Sequence, residues 1–326
     1  VQGSNSGNSP AFKIYASSNN TLVSNNITTG TGDSNVGFFL DQESRWNNIT
    51  LNRITTSGNS AQGFRLVSGS NNNLIAYNTI YTTGSSGYGI YFSSSVEGNK
   101  IGFNNITTTG NSAYGLKLDA SSNGNNFTNN LFSVIDSVSP SIHMNSVQNN
   151  IFESNLLYTT STYIVTEVSS TGNNMTNMTF LGTNGSISFP GTITLPDSKT
   201  ISLAKINISY NKAFVNGANI DAGNLSFLNT SAQIVLQTIT GLNSPQIVAD
   251  LNDDGSSDQI CDEASDPQCF ELSYNLSTGI ILFNVSHFTT YFVQEETISF
   301  GSLNEENTTY ILIQDLQVNG TCFNIA

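Results

Sequence analysis

A period of 26 residues runs through the first half of the chain, and it restricts the possible folds more than any other feature. Gly37, Gly63, Gly89 and Gly115 recur at that spacing without slippage. The segments ITLNRI (49–54), IAYNTI (75–80), IGFNNI (101–106) and FTNNLF (127–132) keep step with them. LVSNNI (22–27) precedes this series and FESNLL (152–157) follows it. A second series reads GFFL (37–40), GFRL (63–66), GIYF (89–92), GLKL (115–118) and SIHM (141–144). Self-similarity at a fixed period of this length signifies a stack of equivalent structural units.

Each unit holds two stretches in which apolar residues alternate with polar ones, such as Ile101/Phe103 and Leu116/Leu118. Alternation at period 2 belongs to strands, and no stretch shows the 3.6-residue period of a helix. Short strands and turns that close in 26 residues make one coil of a parallel β-helix, with coils stacking at about 4.8 Å. Asn25, Asn52, Asn78, Asn104, Asn130 and Asn155 fall at one point of the coil. Stacked amides of this kind can hydrogen-bond along the axis as a ladder. The repeated glycines are expected at turn positions with positive φ.

These N-x-I repeats, over roughly residues 10–180, resemble the pectate-lyase-like right-handed β-helices, and among them the NosD-like surface proteins common in archaea. The resemblance implies a fold, not an activity, because this architecture hosts lyases, hydrolases, adhesins and scaffolds alike. The fold expected is all-β: a right-handed parallel β-helix over 1–185, an antiparallel immunoglobulin-like β-sandwich over 186–295, and a β tail over 296–326.

The sandwich follows from KINISY, AQIVLQTI, PQIVADL, FELSYNL, GIILFNV and FTTYFVQ, which alternate like strands and are separated by turn residues. SFPGTITLPDSK (188–199), with its two prolines, reads as a linker. VSHFTTYFV (285–293) resembles the last strand of immunoglobulin-like modules in archaeal surface proteins. The tail resembles the opening strands of another NosD-like β-helix, whereas Ala11 falls 26 before Gly37, in the second half of a coil. Two partners fit these ends: adjoining modules of a longer chain, or other copies of the protein that accept the tail and complete a coil. Either would cover strand edges that otherwise invite pairing.

Only 10% of the residues are charged and the net charge is −14. A nucleic-acid partner needs a basic stripe that this composition does not supply. No apolar run reaches the ~18 residues of a membrane span. No basic-then-apolar start reads as a signal peptide, so a leader is expected to have been removed or to precede Val1. After residue 195, seven of the fourteen asparagines lie in N-x-S/T sequons: Asn207, Asn224, Asn229, Asn275, Asn284, Asn307 and Asn319. Composition alone gives about three. Glycosylation and an extracellular, cell-surface location follow as expectations. Cys261 and Cys269 share one acidic loop and are expected to form a disulfide, leaving Cys322 over.

DLNDDGSSD (250–258) is the chemical motif of most interest. Asp250, Asn252 and Asp254 alternate, Gly255 supplies a sharp turn, Ser256 offers a carbonyl and Asp258 follows. That is the first part of a calcium loop, departing at Cys261 where a bidentate Glu belongs, so Ca²⁺ in a structural role is expected. Catalysis needs convergent carboxylates, and the acidic residues of the repeats do not converge: Asp41 and Asp119 share a column but lie three coils apart, ~14 Å. His143 is expected on an outward, solvated position and His287 in a sandwich strand. The sequence therefore points to a non-enzymatic structural unit of a cell-surface filament or sheath. Phe39, Tyr77, Tyr91 and Phe103, on outward positions, keep a glycan-binding adhesin as the alternative, with a polysaccharide lyase or hydrolase behind it.

Overall fold

The computed structural model describes residues 9–136, 138–202, 206–209, 212–215, 225–237, 242, 244–252, 254–295, 302–303 and 324–325. The chain is all-β over these residues apart from one short 3-10 turn, Ser226–Leu228. No helix among them is long and apolar enough to cross a membrane.

The repeats form a parallel β-helix. In one coil the chain runs through Asn48–Thr50, turns at Leu51 and Asn52, continues as Arg53–Thr56, and crosses to Phe64–Leu66. The first two strands belong to a broad sheet and the third to a narrow one. In the narrow sheet Phe12, Phe38, Phe64, Ile90, Leu116, Ile142 and Val165 pair in parallel register from coil to coil. The broad sheet stacks Ile49, Ile75, Ile101, Phe127 and Phe152 in the same way.

Alternation places every second side chain inside. Phe38, Phe64, Ile90, Ile54, Ile106 and Phe127 are all fully buried. Each such residue stabilises the stack by about 1.5–3 kcal/mol. The rings of Phe12, Phe38 and Phe64 lie face to face at 5.1 and 5.0 Å, following the spacing of the coils. Hydroxyls of Thr56, Thr82 and Thr108 donate to the carbonyls of Ala61, Gly87 and Ala113, fixing the crossover loop in successive coils.

The repeated glycines do not serve as expected. Gly37, Gly63, Gly89 and Gly115 are not among the positive-φ residues. They are required by close approach: a Cβ on Gly63 would fall 2.3 Å from Ile80 Cγ2 and 2.7 Å from the Gly89 carbonyl oxygen. The left-handed backbone sits instead at Leu51, Tyr77, Phe103 and Asn129, with φ of 59°, 58°, 56° and 53°.

At its C-terminal end the stack is closed by antiparallel strands. Asn174–Gly182 pairs antiparallel with Gly185–Thr194, and Tyr163–Val168 with Thr200–Ser202. The 188–199 segment is thus largely strand and not linker. Gly185–Thr194 pairs onward with Ala232–Leu236, then Ile280–Val285, then Cys269–Asn275. The broad sheet therefore runs unbroken into the antiparallel unit. A five-stranded sheet faces it, and Phe189, Phe283, Phe288 and Tyr291 pack in the shared core. Of the tail, Ser302–Leu303 and Asn324–Ile325 are described. They pair in parallel, Ser302 with Asn324 and Leu303 with Ile325.

Candidate functional site

Two asparagine ladders run along the coil stack. In the first, Asn52 donates its backbone N–H and its Nδ2 to Asn78 Oδ1 at 2.9 and 3.0 Å. Asn78 does the same to Asn104, and Asn104 to Asn130. Asn25 heads this column and Asn155 ends it. The second ladder passes from Asn20 through Asn47, Asn73, Asn99, Asn125 and Asn150 to Asn173. Sequence reasoning overlooked it, although the Asn-Asn doublets 47–48 and 125–126 repeat at the coil spacing. Both ladders are directional, with donors pointing toward the C-terminal end.

How each ladder ends is informative. Asn155 Nδ2 donates to the Phe127 carbonyl and lies 3.8 Å from Met178 Sδ, which replaces the next amide. Asn173 Nδ2 donates instead to Glu167 Oε1 at 2.8 Å. Glu167 follows Met144 in an inward column and is 2% exposed. Its other oxygen, Oε2, has no hydrogen-bond partner. Burial pushes this carboxyl up to about 7; the Asn173 bond works against the rise and Asp197 adds to it. At the head of the stack, Phe12–Tyr15, Thr21–Val23 and Asn26–Thr28 pair with the following coil only, among the described residues.

The outer face of the narrow sheet carries one column of cations and rings: Lys13, Phe39, Arg65, Tyr91, Lys117 and His143. Lys13 and Arg65 lie over Phe39 at 5.3 and 5.2 Å, and Arg65 and Lys117 over Tyr91 at 5.9 and 5.4 Å. Both rings thus have cations for neighbours along the column. Lys117 also pairs with Asp119 at 3.0 Å, and Lys13 with Asp41 at 3.8 Å. Burial works against the Lys117 charge, but the Asp119 hydrogen bond and Tyr88 outweigh it and hold its pKa above the usual value.

Asp41 and Asp119 are thus each tied to a lysine and do not meet. His143 faces outward as expected but is half-buried, its Nδ1 2.6 Å from Thr166 Oγ1. Burial pushes the imidazole down; Asp119 opposes this and Lys117 reinforces it. Tyr77 and Phe103, each about half exposed, stack on one another at 4.9 Å.

In the acidic loop, Asp250 is buried and accepts the backbone N–H of Asp254 at 3.2 Å and of Gly255 at 2.8 Å. Asp258 Oδ2 accepts from Leu251 and Asn252, and Asn252 Oδ1 from Asp254. Hydrogen bonds from Ser256 hold the Asp254 carboxyl below the usual range. These oxygens fold onto their own backbone, and no three His, Cys, Asp or Glu of the described residues gather where they could hold a metal ion. Cys261 and Cys269 form a disulfide beside the loop.

Asn229 and Asn275 are exposed and Asn284 is half-buried. The side chain of Asn207, all of Asn224, Asn307 and Asn319, and Cys322 lie outside the described residues.

Residues 4–138 match the family model described as periplasmic copper-binding protein (NosD). None of the curated proteins matches the chain. The described residues do not suit copper, which favours imidazole, thiolate and thioether ligands. His143 stands in the narrow sheet, whereas His287, expected in a sandwich strand, lies in the bend between Ile280–Val285 and Thr290–Glu295. Cys261 and Cys269 are joined to each other, and Met144, Met175 and Met178 are fully buried. The repeats of this chain form a NosD-like parallel β-helix, and that helix continues into an antiparallel unit beyond the matched residues.

Proposed function

We propose that the protein is a structural, non-enzymatic subunit of an extracellular filament or sheath, joined end to end by completion of the β-helix. The observation that carries this reading is the difference between the two ends of the stack. Among the described residues, antiparallel strands cover one end, whereas at the other Phe12–Tyr15, Thr21–Val23 and Asn26–Thr28 pair with the following coil only. An edge of this kind templates further strands. The tail of a second copy suits it, because its two described strands already pair in parallel, 22 residues apart, as strands of successive coils do. The antiparallel unit then acts as an immunoglobulin-like spacer between rods.

The adhesin reading gains less support, since cations flank the Phe39 and Tyr91 rings. The test is electron microscopy of the full chain beside a version lacking 296–326. Filaments from the first and dispersed particles from the second are expected. Filaments from both, or from neither, would contradict end-to-end assembly through the tail.

Calcium remains part of this proposal as a stiffener of the 250–258 loop, on the ground that Asp250, Asn252, Asp254 and Asp258 bring alternating oxygen-bearing side chains into one short loop. A ligand bound only by the folded state raises the melting temperature. Millimolar Ca²⁺ should therefore raise it for the native chain and leave Asp250→Ala unaffected. Equal melting curves with Ca²⁺ and with chelator would remove calcium from the account.

A further inference from the structure

The sequons of the β-helix sort by face. Asn26 and Asn105 lie on one outward column of the broad sheet, the one that passes through Arg53 and Thr79. Asn48, Asn126 and Asn174 lie on a neighbouring outward column of the same sheet, the one that passes through Leu74 and Lys100. Asn177 follows in the last parallel strand, and Asn19 and Asn184 occupy turns that adjoin this sheet.

The reason is the pleat. A ladder asparagine is followed two residues later by a core residue, as Asn52 is by Ile54 and Asn47 by Ile49, so a hydroxyl there would be driven into the core. One residue further on, the amide faces out, and so does the residue two beyond it. Thr28, Thr50, Thr107 and Thr128 occupy those places. Acceptor and hydroxyl then stand on the same side of the strand. Asn26 and Asn105 are exposed, and they lie three coils apart, ~14 Å, which leaves room for separate glycans.

The narrow sheet differs. Its first outward column is the series of cations and rings, and the asparagine of its second, Asn145, is followed by Ser146 and Val147, so it is no sequon. Among the described residues its strands hold no acceptor.

We propose that the rod is N-glycosylated on one side only, with Asn26 and Asn105 as principal acceptors, leaving the narrow sheet bare. The donor is an oligosaccharide linked through phosphate to a lipid, used by a membrane glycosyltransferase. The Asn Nδ2 forms a bond to the sugar C1, the C1–O bond to phosphate breaks, the lipid phosphate leaves, and the amide proton passes to a base of the transferase. This inference rests on the extracellular placement in the proposed function and not on filament formation.

The test is glycopeptide mass spectrometry of the protein from its natural source, with the same sample viewed by electron microscopy. Glycan-bearing Asn26 and Asn105 peptides are expected, with Asn52, Asn78 and Asn145 unmodified. Asn105→Gln expressed in that source should lose one glycan mass and keep its melting temperature. Unmodified Asn26 and Asn105, or glycans on the narrow sheet, would overturn the proposal. Filaments without these glycans would overturn it while leaving assembly intact, and glycans without filaments would do the reverse.

Discussion

Asn104→Ala should destabilise the β-helix by about 3–5 kcal/mol, whereas Asn105→Ala, one residue away, should change it by no more than about 0.5 kcal/mol. Asn104 is 1% exposed. Its Oδ1 accepts both the N–H and the Nδ2 of Asn78, and its own Nδ2 serves the Ile75 carbonyl at 2.9 Å and Asn130 Oδ1 at 3.0 Å. Truncation leaves several buried polar groups short of a partner at once, each costing about 1–3 kcal/mol when water cannot reach it. Asn104→Asp preserves the shape and the acceptor but loses both donors, and it too should be strongly destabilising. Denaturant midpoints of the three variants check this. Similar losses for Asn104→Ala and Asn105→Ala would mean that the ladder contributes no more than the solvated face.

Glu167→Gln should leave stability unchanged near pH 4 and raise it by about 2–3 kcal/mol at pH 8. The sign follows from linkage. The folded carboxyl has its pKa pushed up to about 7 from an ordinary 4.5, so between those values the native state binds the proton that the unfolded chain releases. Stability attached to this group is complete below about pH 4.5 and falls as pH rises through about 7. A glutamine keeps the acceptor for Asn173 Nδ2 and carries no charge, so the fall disappears. Melting temperatures of both proteins from pH 4 to pH 8 should coincide at the acid end and diverge upward for the variant. Parallel curves would show that the carboxyl does not lie sealed under the last coil.

The coil was legible because its inward columns repeat: a residue that must be apolar in one coil must be apolar in the next. The role of the glycines was not, since close approach and positive φ both select glycine, and only the Ile80 and Gly89 contacts of Gly63 separate them. Positive φ fell to Leu51, Tyr77 and Phe103, where nothing in the side chain announces it. Residues 188–199 misled through Pro190. That proline sits at a shift of register, where Phe189 pairs with Met178 and Thr192 with Thr176, and a bulge spares the N–H that proline lacks. Glu167 gave a faint signal, as a carboxylate where Met144 and Leu118 keep an inward column apolar. In the acidic loop the alternation of Asp250, Asn252 and Asp254 is visible in the sequence, whereas the hydrogen bonds of their oxygens to nearby N–H groups cannot be read from spacing.

The hydrogen bonds between coils run along the axis of the rod, and that orientation governs how it answers a pull. Tension along the axis loads those bonds end-on, so they part a few at a time, coil after coil, as a zipper opens. Each released coil of 26 residues adds roughly 90 Å of chain in place of about 4.8 Å of rod. A shear across the axis must instead break a whole row together. A body built this way gives under a lengthwise tug, lets out slack one turn at a time, and re-forms by rewinding onto the turn below.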